Sequence, residues 1–248
     1  MSLRSLLCLT LVAVAPLRAD GLSELKTQLG KLKGSEPLKV SVDRQIWNRH
    51  GDEKKPVVTQ GKATAWVEES PQGLKVFWSR EQIQQATQEA RARDLDPEKT
   101  TPTRDAMSSV DTPGLEEYFN SADKLLQDLN QAKLVEEHAT TLDGKTVRQL
   151  SFTLEPRISQ QERKYIKELE ATAKIWIDAE GTPVAAEQHI KLKGRAFVVI
   201  SFKSEQKDEF RFTRIGNRLV TLHHQHENSG SGGGESSQGT RTTTLKYN

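Results

Sequence analysis

Residues 173–194, AKIWIDAEGTPVAAEQHIKLKG, contain two runs of alternating apolar and polar residues on either side of one turn. Apolar residues alternate as far as Asp178, and the second run begins at Val184. The intervening DAEGTP combines Asp, Gly and Pro, residues that favour tight turns. Alternation with a period of two on both sides of such a turn predicts a β-hairpin.

Runs of this kind recur along most of the chain. Three precede residue 79 and eight follow residue 132, and most are joined by turns of hairpin length. Asp143-Gly144 is a strong signal for a two-residue hairpin turn. Residues 196–203 and 209–215 are predicted as separate strands, and the Gly/Ser-rich residues 229–237 as a flexible loop before the last strand.

Helical patterns occur in two main places. Residues 21–33 carry four leucines at helical spacing. A helical insertion is predicted over residues 80–133, where a helix that starts at a Ser79/Gln82 capping box is followed by a polar loop at 96–113. The strongest helix, 114–131, places an apolar stripe on one face, so we expect it to lie on the sheet as a lid; the stripe includes Leu115, Phe119, Leu126 and Leu129.

Eleven candidate antiparallel strands form a sheet that has to bury one face, and the helices are its natural cover. We therefore predict an α+β fold: a large curved antiparallel β-sheet of about eleven strands, an unclosed barrel covered by helices. A second capping box at Ser159/Glu162 predicts a short helix within residues 157–170.

The first 19 residues, MSLRSLLCLTLVAVAPLRA, have the order of a secretory signal peptide. Arg4 is followed by an apolar run from Leu6 to Val14, and Ala19 precedes Asp20. That run is too short to span a bilayer as a helix. We expect residues 1–19 to be removed on export to the periplasm, which leaves 20–248 as a single domain.

Charge and cysteine content exclude several classes of protein. Cys8 is the only cysteine and lies in the predicted signal peptide, so the mature chain can form neither disulfides nor thiolate metal sites. Without Arg4 and Arg18 the chain has 34 basic residues (36 minus 2) and 34 acidic ones. This balance argues against nucleic acid as a partner.

Catalytic patterns are absent from the sequence. It contains neither a Gly-flanked nucleophilic serine nor a phosphate-binding loop, so we predict a protein that is not an enzyme and needs no cofactor. HHQHE at 223–227 is the one cluster with metal-ligating residues. On a strand His224 and His226 point the same way and could share a metal if a neighbouring strand supplied a third ligand. The alternative is a polar strand end.

Aromatic residues are the remaining candidates for a binding site. Four tryptophans, Trp47, Trp66, Trp78 and Trp176, either line a hydrophobic cavity or pack in the core and along strands. Leu115, Phe119 and Leu126 join them as candidate ligand-binding residues because they belong to the predicted lid.

The order of elements resembles that of the LolA/LolB-like superfamily of periplasmic carriers, which includes LppX and the regulator MucB/RseB. The stretch IWIDAEGTPVAAEQ looks like a strand, turn and returning strand of that superfamily, and LDGKTVRQLSFTL is similar to its Asp-Gly hairpin. The resemblance implies a half-barrel whose concave face, lidded by helices, holds acyl chains or a segment of a partner. The insertion 80–133 is longer than a simple carrier needs.

Two functions follow from the resemblance. The first is an exported periplasmic binding protein, a monomer, that holds a lipid, an acyl chain or a lipoprotein in an open barrel. The alternative is an envelope interaction or regulatory scaffold that uses the same fold without a lipid and binds an envelope protein through the insertion. A cavity under the helices favours the first function, and a concave face filled by the protein's own side chains favours the second.

Overall fold

The fold is an open antiparallel sheet covered on one face by helices. The computed structural model describes residues 20–52, 54–70, 72–156, 158–196 and 200–247. Within them one sheet has ten strands in the order β3-β2-β1-β10-β9-β8-β7-β6-β5-β4, so that β3 and β4 are its edges and the barrel is not closed. The predicted signal peptide, residues 1–19, lies outside the described residues.

The elements alternate between long stretches of sheet and one helical connection. The strands are β1 Lys39–Asp52, β2 Val57–Ser70, β3 Gly73–Trp78, β4 Ala132–Leu142, β5 Lys145–Leu154, β6 Ile166–Ile177, β7 Pro183–Ala196, β8 Ile200–Ile215, β9 Arg218–Gly232 and β10 Glu235–Tyr247. The helices are α1 Gly21–Lys31, α2 Arg80–Leu95, α3 Pro102–Ser108, α4 Thr112–Phe119, α5 Ser121–Leu129 and α6 Gln160–Arg163. No helix in the described part is long and apolar enough to cross a membrane.

The predicted hairpin turns are confirmed. The Asp178 side chain accepts hydrogen bonds from the N–H groups of Glu180 (2.9 Å) and Thr182 (2.8 Å), which closes the turn between β6 and β7. Asp143 and Gly144 both have positive φ, 49° and 76°, as a type I′ turn requires between two strands. Both predicted capping boxes lie at helix starts, where Ser79 and Ser159 accept backbone hydrogen bonds.

The strand count and one loop differ from the prediction. Residues 200–203 and 209–215, which were predicted to lie on separate strands, both belong to β8, because the polar residues between them continue the pairing with β7 and β9. The prediction of a flexible loop at 229–237 was also wrong. β9 and β10 pair through these residues, and only Gly233 and Gly234, with φ of 64° and 88°, form the turn.

The helical connection crosses the sheet from edge to edge. It leaves β3 at one edge and enters β4 at the other, so α3, α4 and α5 lie across one face and cover it. α4 forms a core with β1, β2, β3 and β10, called the α4 core, around Leu115, Phe119 and Val42. α1 and α5 form a second core over β5–β9, the α5 core, around Leu25 and Leu125.

Helix α3 occupies part of the segment predicted as a polar loop. Glu89 of α2 is buried, and its carboxylate accepts hydrogen bonds from the N–H groups of Thr103 (2.9 Å) and Arg104 (3.2 Å). These are first-turn donors that a helix cannot satisfy itself. Gly61 of β2 allows close packing, because a Cβ there would lie 2.0 Å from the Pro102 carbonyl oxygen. The helix thus depends on contacts that are distant in sequence.

The single helix predicted over 114–131 is two helices, α4 and α5, separated at Asn120. Asn120 has φ −115° and ψ 43°, outside the helical region. The Phe119 carbonyl oxygen accepts a hydrogen bond from Arg218 Nε (2.8 Å), and the Asn120 side-chain oxygen accepts one from Arg218 Nη2 (2.8 Å). The prediction of one continuous helix was wrong because the Arg218 side chain of β9 provides an alternative hydrogen-bond partner for the Phe119 carbonyl oxygen.

Phe119 tests whether α4 is a fixed cover. Its side chain is fully buried, with its ring 6.3 Å from that of Tyr247. Phe119→Ala should therefore lower the free energy of unfolding in urea by about 3–5 kcal/mol. The matched control is Phe77→Ala, since Phe77 is 47% exposed, and its expected cost is below about 1 kcal/mol. Equal small losses would show that α4 is mobile.

Candidate ligand-binding site

A cavity lies between α5 and the sheet. Its floor includes two small residues, Ala173 of β6 and Ala186 of β7, where larger side chains would fill the space beneath the helix. The cavity has a volume of about 350 Å³, within the range typical of small-molecule sites. Under α4, by contrast, large side chains fill the corresponding space. The sequence therefore determines which part of the covered face is left open.

The walls of this apolar cavity come from α5 and from strands β5–β8. Most of the lining is hydrophobic, and its largest members are Leu125, Leu129, Phe152, Ile175, Phe210 and Phe212. The rim carries charges that are paired with one another. Lys124 lies 2.7 Å from Asp128, and Lys174 lies 3.6 Å from Glu187. Such a site suits an apolar ligand that enters past a polar rim.

One end of the apolar cavity is polar because of a β-bulge in β9. Arg211 and Phe212 are consecutive in β8 but pair with His223 and Thr221, so Leu222 is the additional residue. A bulge changes which side chains face each side of a strand. Thr221 and His224 consequently both face the helices, and His226 follows on the same side.

Asp208 of β8 joins the two histidines. His224 Nε2 and His226 Nδ1 each lie 2.8 Å from Asp208 Oδ1. His224 Nδ1 is 2.7 Å from the hydroxyl of Tyr118 on α4. The ring of Phe210 stacks on His224 with the centroids 4.1 Å apart and the planes at 8°. The imidazole of His224 is thus held at both nitrogens and on one face.

The protonation of this network follows from the carboxylate. Burial on its own would raise the pKa of Asp208, but hydrogen bonds from His224 and His226 outweigh it and hold the pKa well below its ordinary value. An ionised carboxylate only accepts hydrogen bonds, so His224 Nε2 and His226 Nδ1 carry protons. In a neutral His224 ring, Nδ1 then accepts a hydrogen bond from the Tyr118 hydroxyl.

The same three residues are the metal-ligand candidates of the described chain. One ligand atom from each of Asp208, His224 and His226 lies within 4.8 Å of the other two, so the third ligand that the sequence required comes from the neighbouring strand. A metal would have to replace both hydrogen bonds to Asp208 Oδ1. The arrangement as it stands is a hydrogen-bond network centred on one carboxylate oxygen.

The residues predicted from sequence as ligand-binding candidates lie around the cavity rather than in its wall. Within the described part, the lining includes none of Trp47, Trp66, Trp78, Leu115, Phe119, Leu126 and Trp176. Trp47, Trp66 and Trp176 alternate along their strands with helix-facing residues, so they lie on the outer face of the sheet. Trp66 is 53% exposed.

Trp78 packs on the edge of the α4 core, and Leu126 on the α5 core. Leu115 and Phe119 are fully buried beneath α4, as a cover requires.

Sequence reasoning missed Asp208, Ala173 and Ala186 as site residues. Asp208 lies among charged residues, and only the register that pairs it with His226 reveals its role. The alanines carried a weak signal, because small residues at helix-facing positions of central strands leave space. Tyr118 shares the apolar stripe of Leu115, and its hydroxyl reaches the network only because α4 ends beside β9.

Comparisons with known proteins give little beyond this geometry. No family model matches the chain, and no curated protein matches it. Among solved structures it is similar to a DUF1329 family protein from Desulfovibrio piger, with 12% identity over 92% of each chain and a TM-score of 0.32. A likeness at this level establishes neither a shared fold nor a shared function.

The Asp208 network predicts a pH-dependent contribution to stability. A carboxyl whose pKa is lowered by folding stabilises the native state above its ordinary pKa of about 3.9, and this contribution is lost as the pH falls below that value. Asp208→Asn should lower the free energy of unfolding by about 1–3 kcal/mol at neutral pH. The difference from the parent should shrink progressively below a pH of about 3.9.

The matched control for this change is Asp94→Asn, since Asp94 is exposed on α2. It should leave stability unchanged at both neutral and acidic pH. Urea unfolding at several pH values measures both variants. A loss for Asp208→Asn that does not depend on pH would contradict the assignment of an ionised, hydrogen-bonded carboxylate.

Proposed function

We propose that the protein is an exported binding protein that holds one hydrophobic ligand, such as an acyl chain, in the apolar cavity. The observation that carries this proposal is the cavity of about 350 Å³ between α5 and a sheet floor of small residues. Interiors are otherwise close-packed, and an apolar space of this size is unusual unless it serves a ligand.

The size of the cavity favours a single chain over a larger partner. Its volume is at the lower end of the range for small-molecule sites. A segment of a folded protein would need more room than this cavity has. The adjoining α4 core offers none, because Leu115, Phe119 and Val42 already fill it. An acyl chain, whether of a free lipid or of a lipoprotein, fits the space that remains.

The polar end gives such a ligand one orientation. Asp208, His224 and Tyr118 lie at one end of the lining, while the walls are hydrophobic. Sites of this kind fix orientation with a few placed polar groups and take their affinity from apolar contact. The chain of an amphiphile would lie along α5, with its polar group directed towards β8 and β9.

Two features of the sequence support this proposal. The signal-peptide pattern of residues 1–19 suits a protein that acts in the periplasm. The resemblance of its turns and element order to the LolA/LolB-like superfamily suits a carrier or sensor of lipid-linked molecules. A regulatory scaffold without a lipid is the alternative, and the close-packed α4 core is the observation that favours it.

Filling the cavity tests the proposal. Ala173→Trp places an indole on the cavity floor, whereas Thr172→Trp, one residue earlier on β6, places it on the outer face. The parent and Thr172→Trp should bind the fluorescent apolar probe N-phenyl-1-naphthylamine with similar affinity. Ala173→Trp should bind it at least about tenfold more weakly, a loss of about 1.4 kcal/mol.

Probe titrations followed by fluorescence measure all three proteins, and thermal unfolding checks that each is folded. A parent that does not bind the probe would contradict the proposed function. Equal binding by parent and Ala173→Trp would show that the probe binds elsewhere, which would also contradict it.

A further inference from the structure

A second cavity lies on the other side of the Asp208–His226 pair. It has a volume of about 470 Å³ and is roofed by α3, with Ser108 and Ser109 in its lining. Its floor is formed by β1, β2, β8, β9 and β10 and includes Asn48, Gln206, Asn228 and Thr240. Gly239 between the two asparagines contributes no side chain. We call this space the polar cavity.

Two arginines, Arg44 of β1 and Arg241 of β10, lie near each other beside the polar cavity. Arg241 lines the polar cavity, and its cross-strand partner is Ile46. Arg44 lies two residues before Ile46 on the same face of β1 and is 4% exposed. Within the described residues, Nε of both arginines and the hydroxyl of Thr243, the partner of Arg44, are buried without a hydrogen-bond partner.

Negative charges lie near the arginines, and that of Asp111 acts to raise the pKa of Arg44, but none of them forms a salt bridge with either arginine in the described part of the chain. Asp105 is the carboxylate in the described lining, and it accepts a hydrogen bond from Thr101 (2.9 Å). Asp208 is already bonded to His224 and His226. In the described part of the chain no salt bridge links either arginine to a carboxylate.

Such an arrangement is costly without an anion. Burial lowers the pKa of the Arg44 guanidinium, and burial together with the positive charge of Arg241 outweighs the opposing effects of Tyr118 and Asp111. An arginine nevertheless stays charged in proteins, so both guanidinium groups remain cations. Buried charges that lack a partner destabilise a protein strongly, and native proteins rarely retain them without a function.

We propose that Arg241 and His226 in the lining of the polar cavity, together with Arg44 and the Thr243 hydroxyl buried beside Arg241, form a binding site for a phosphate-class oxyanion. A guanidinium offers a planar fork of N–H donors that matches phosphate oxygens, and two of them can hold one phosphate from two sides. The hydroxyl supplies a further donor, and His226 Nε2 supplies another when the ring is an imidazolium, because Nδ1 already donates to Asp208.

The position of this site relates it to the apolar cavity. Asp208 and His224 line the apolar cavity and His226 lines the polar one, so the three residues form the wall between the two spaces. A lipid whose chain lies beneath α5 would bring its phosphate to the arginines only past this wall, so binding of such a lipid requires the side chains of the wall to move. The assignment of the anion to a lipid rests on the proposed function, whereas the anion site itself does not.

Three variants test the site. Arg241→Gln removes one positive charge from the lining of the polar cavity, and Arg44→Gln removes one from the buried position beside it. Arg49→Gln removes the same charge from β1 but on the opposite face, because Arg49 alternates with the helix-facing Asn48. Far-ultraviolet circular dichroism checks folding. Removal of an unpaired buried charge should leave the thermal midpoint of the ligand-free Arg44→Gln variant equal to or above that of the parent.

Three probes separate the possible sources of the anion. Inorganic phosphate contains the anion alone, monooleoylglycerol contains the chain alone, and lysophosphatidic acid with the same oleoyl chain contains both. Calorimetric titration of the parent should show tightest binding to lysophosphatidic acid. Both cavity variants should lose at least tenfold in affinity for it and retain their affinity for monooleoylglycerol, and Arg49→Gln should behave as the parent does.

The outcomes are distinguishable. Binding of phosphate and of lysophosphatidic acid but not of monooleoylglycerol would keep the anion site and overturn the proposed acyl-chain function. Equal affinity of parent, Arg241→Gln and Arg44→Gln for lysophosphatidic acid and for phosphate would overturn the anion site and leave the apolar cavity untouched. Phosphate that binds as tightly as lysophosphatidic acid would assign the site to a free phosphate.

Discussion

The guanidinium of Arg218 uses all five of its N–H donors, and the position of the helical cover depends on them. Two donors meet the Glu69 carboxylate at 2.6 Å, and the others reach the carbonyl oxygens of Glu36 and Phe119 and the side chain of Asn120. One side chain at the start of β9 therefore ties together β2, the segment before β1 and the junction of α4 with α5. The Arg218 side chain is 3% exposed and forms an ion pair with Glu69. Loss of one member of this pair would leave the charge of the other without its partner, at a cost of about 3–5 kcal/mol.

This junction explains why the covered face has two different halves. The helical segment breaks at Asn120. Before the break, the apolar face of α4, with Phe119, packs in a close-packed core. After it, α5 lies over the small residues Ala173 and Ala186. The bulge at Leu222 directs histidines towards the end of the resulting cavity, where Asp208 fixes them. A ligand-binding function requires a rigid cover, an unfilled floor and oriented polar groups, and each has a separate physical cause here.

Local patterns in the sequence predicted the sheet and its turns, but the site could not be predicted in the same way. Asp143-Gly144 and the Asp178 turn follow from local conformational preferences, which act within a few residues and leave a readable signal. The break at Asn120 has no such signal, since its cause is Arg218, 98 residues further along the chain. The role of Asp208 likewise arises from strand register and a bulge, and the tryptophans that suggested a cavity lie elsewhere because alternation alone does not decide which face is covered.

The proposed function places a single-chain amphiphile in the space beneath α5 in the working protein. Native mass spectrometry of protein purified without detergent from the periplasm of expressing cells tests it most directly. We expect a population of one-to-one complexes whose added mass, released on activation, is that of one single-chain lipid with an anionic head group. If the protein carries no such mass, even with monooleoylglycerol and lysophosphatidic acid in excess, the cavity beneath α5 does not hold a single-chain amphiphile.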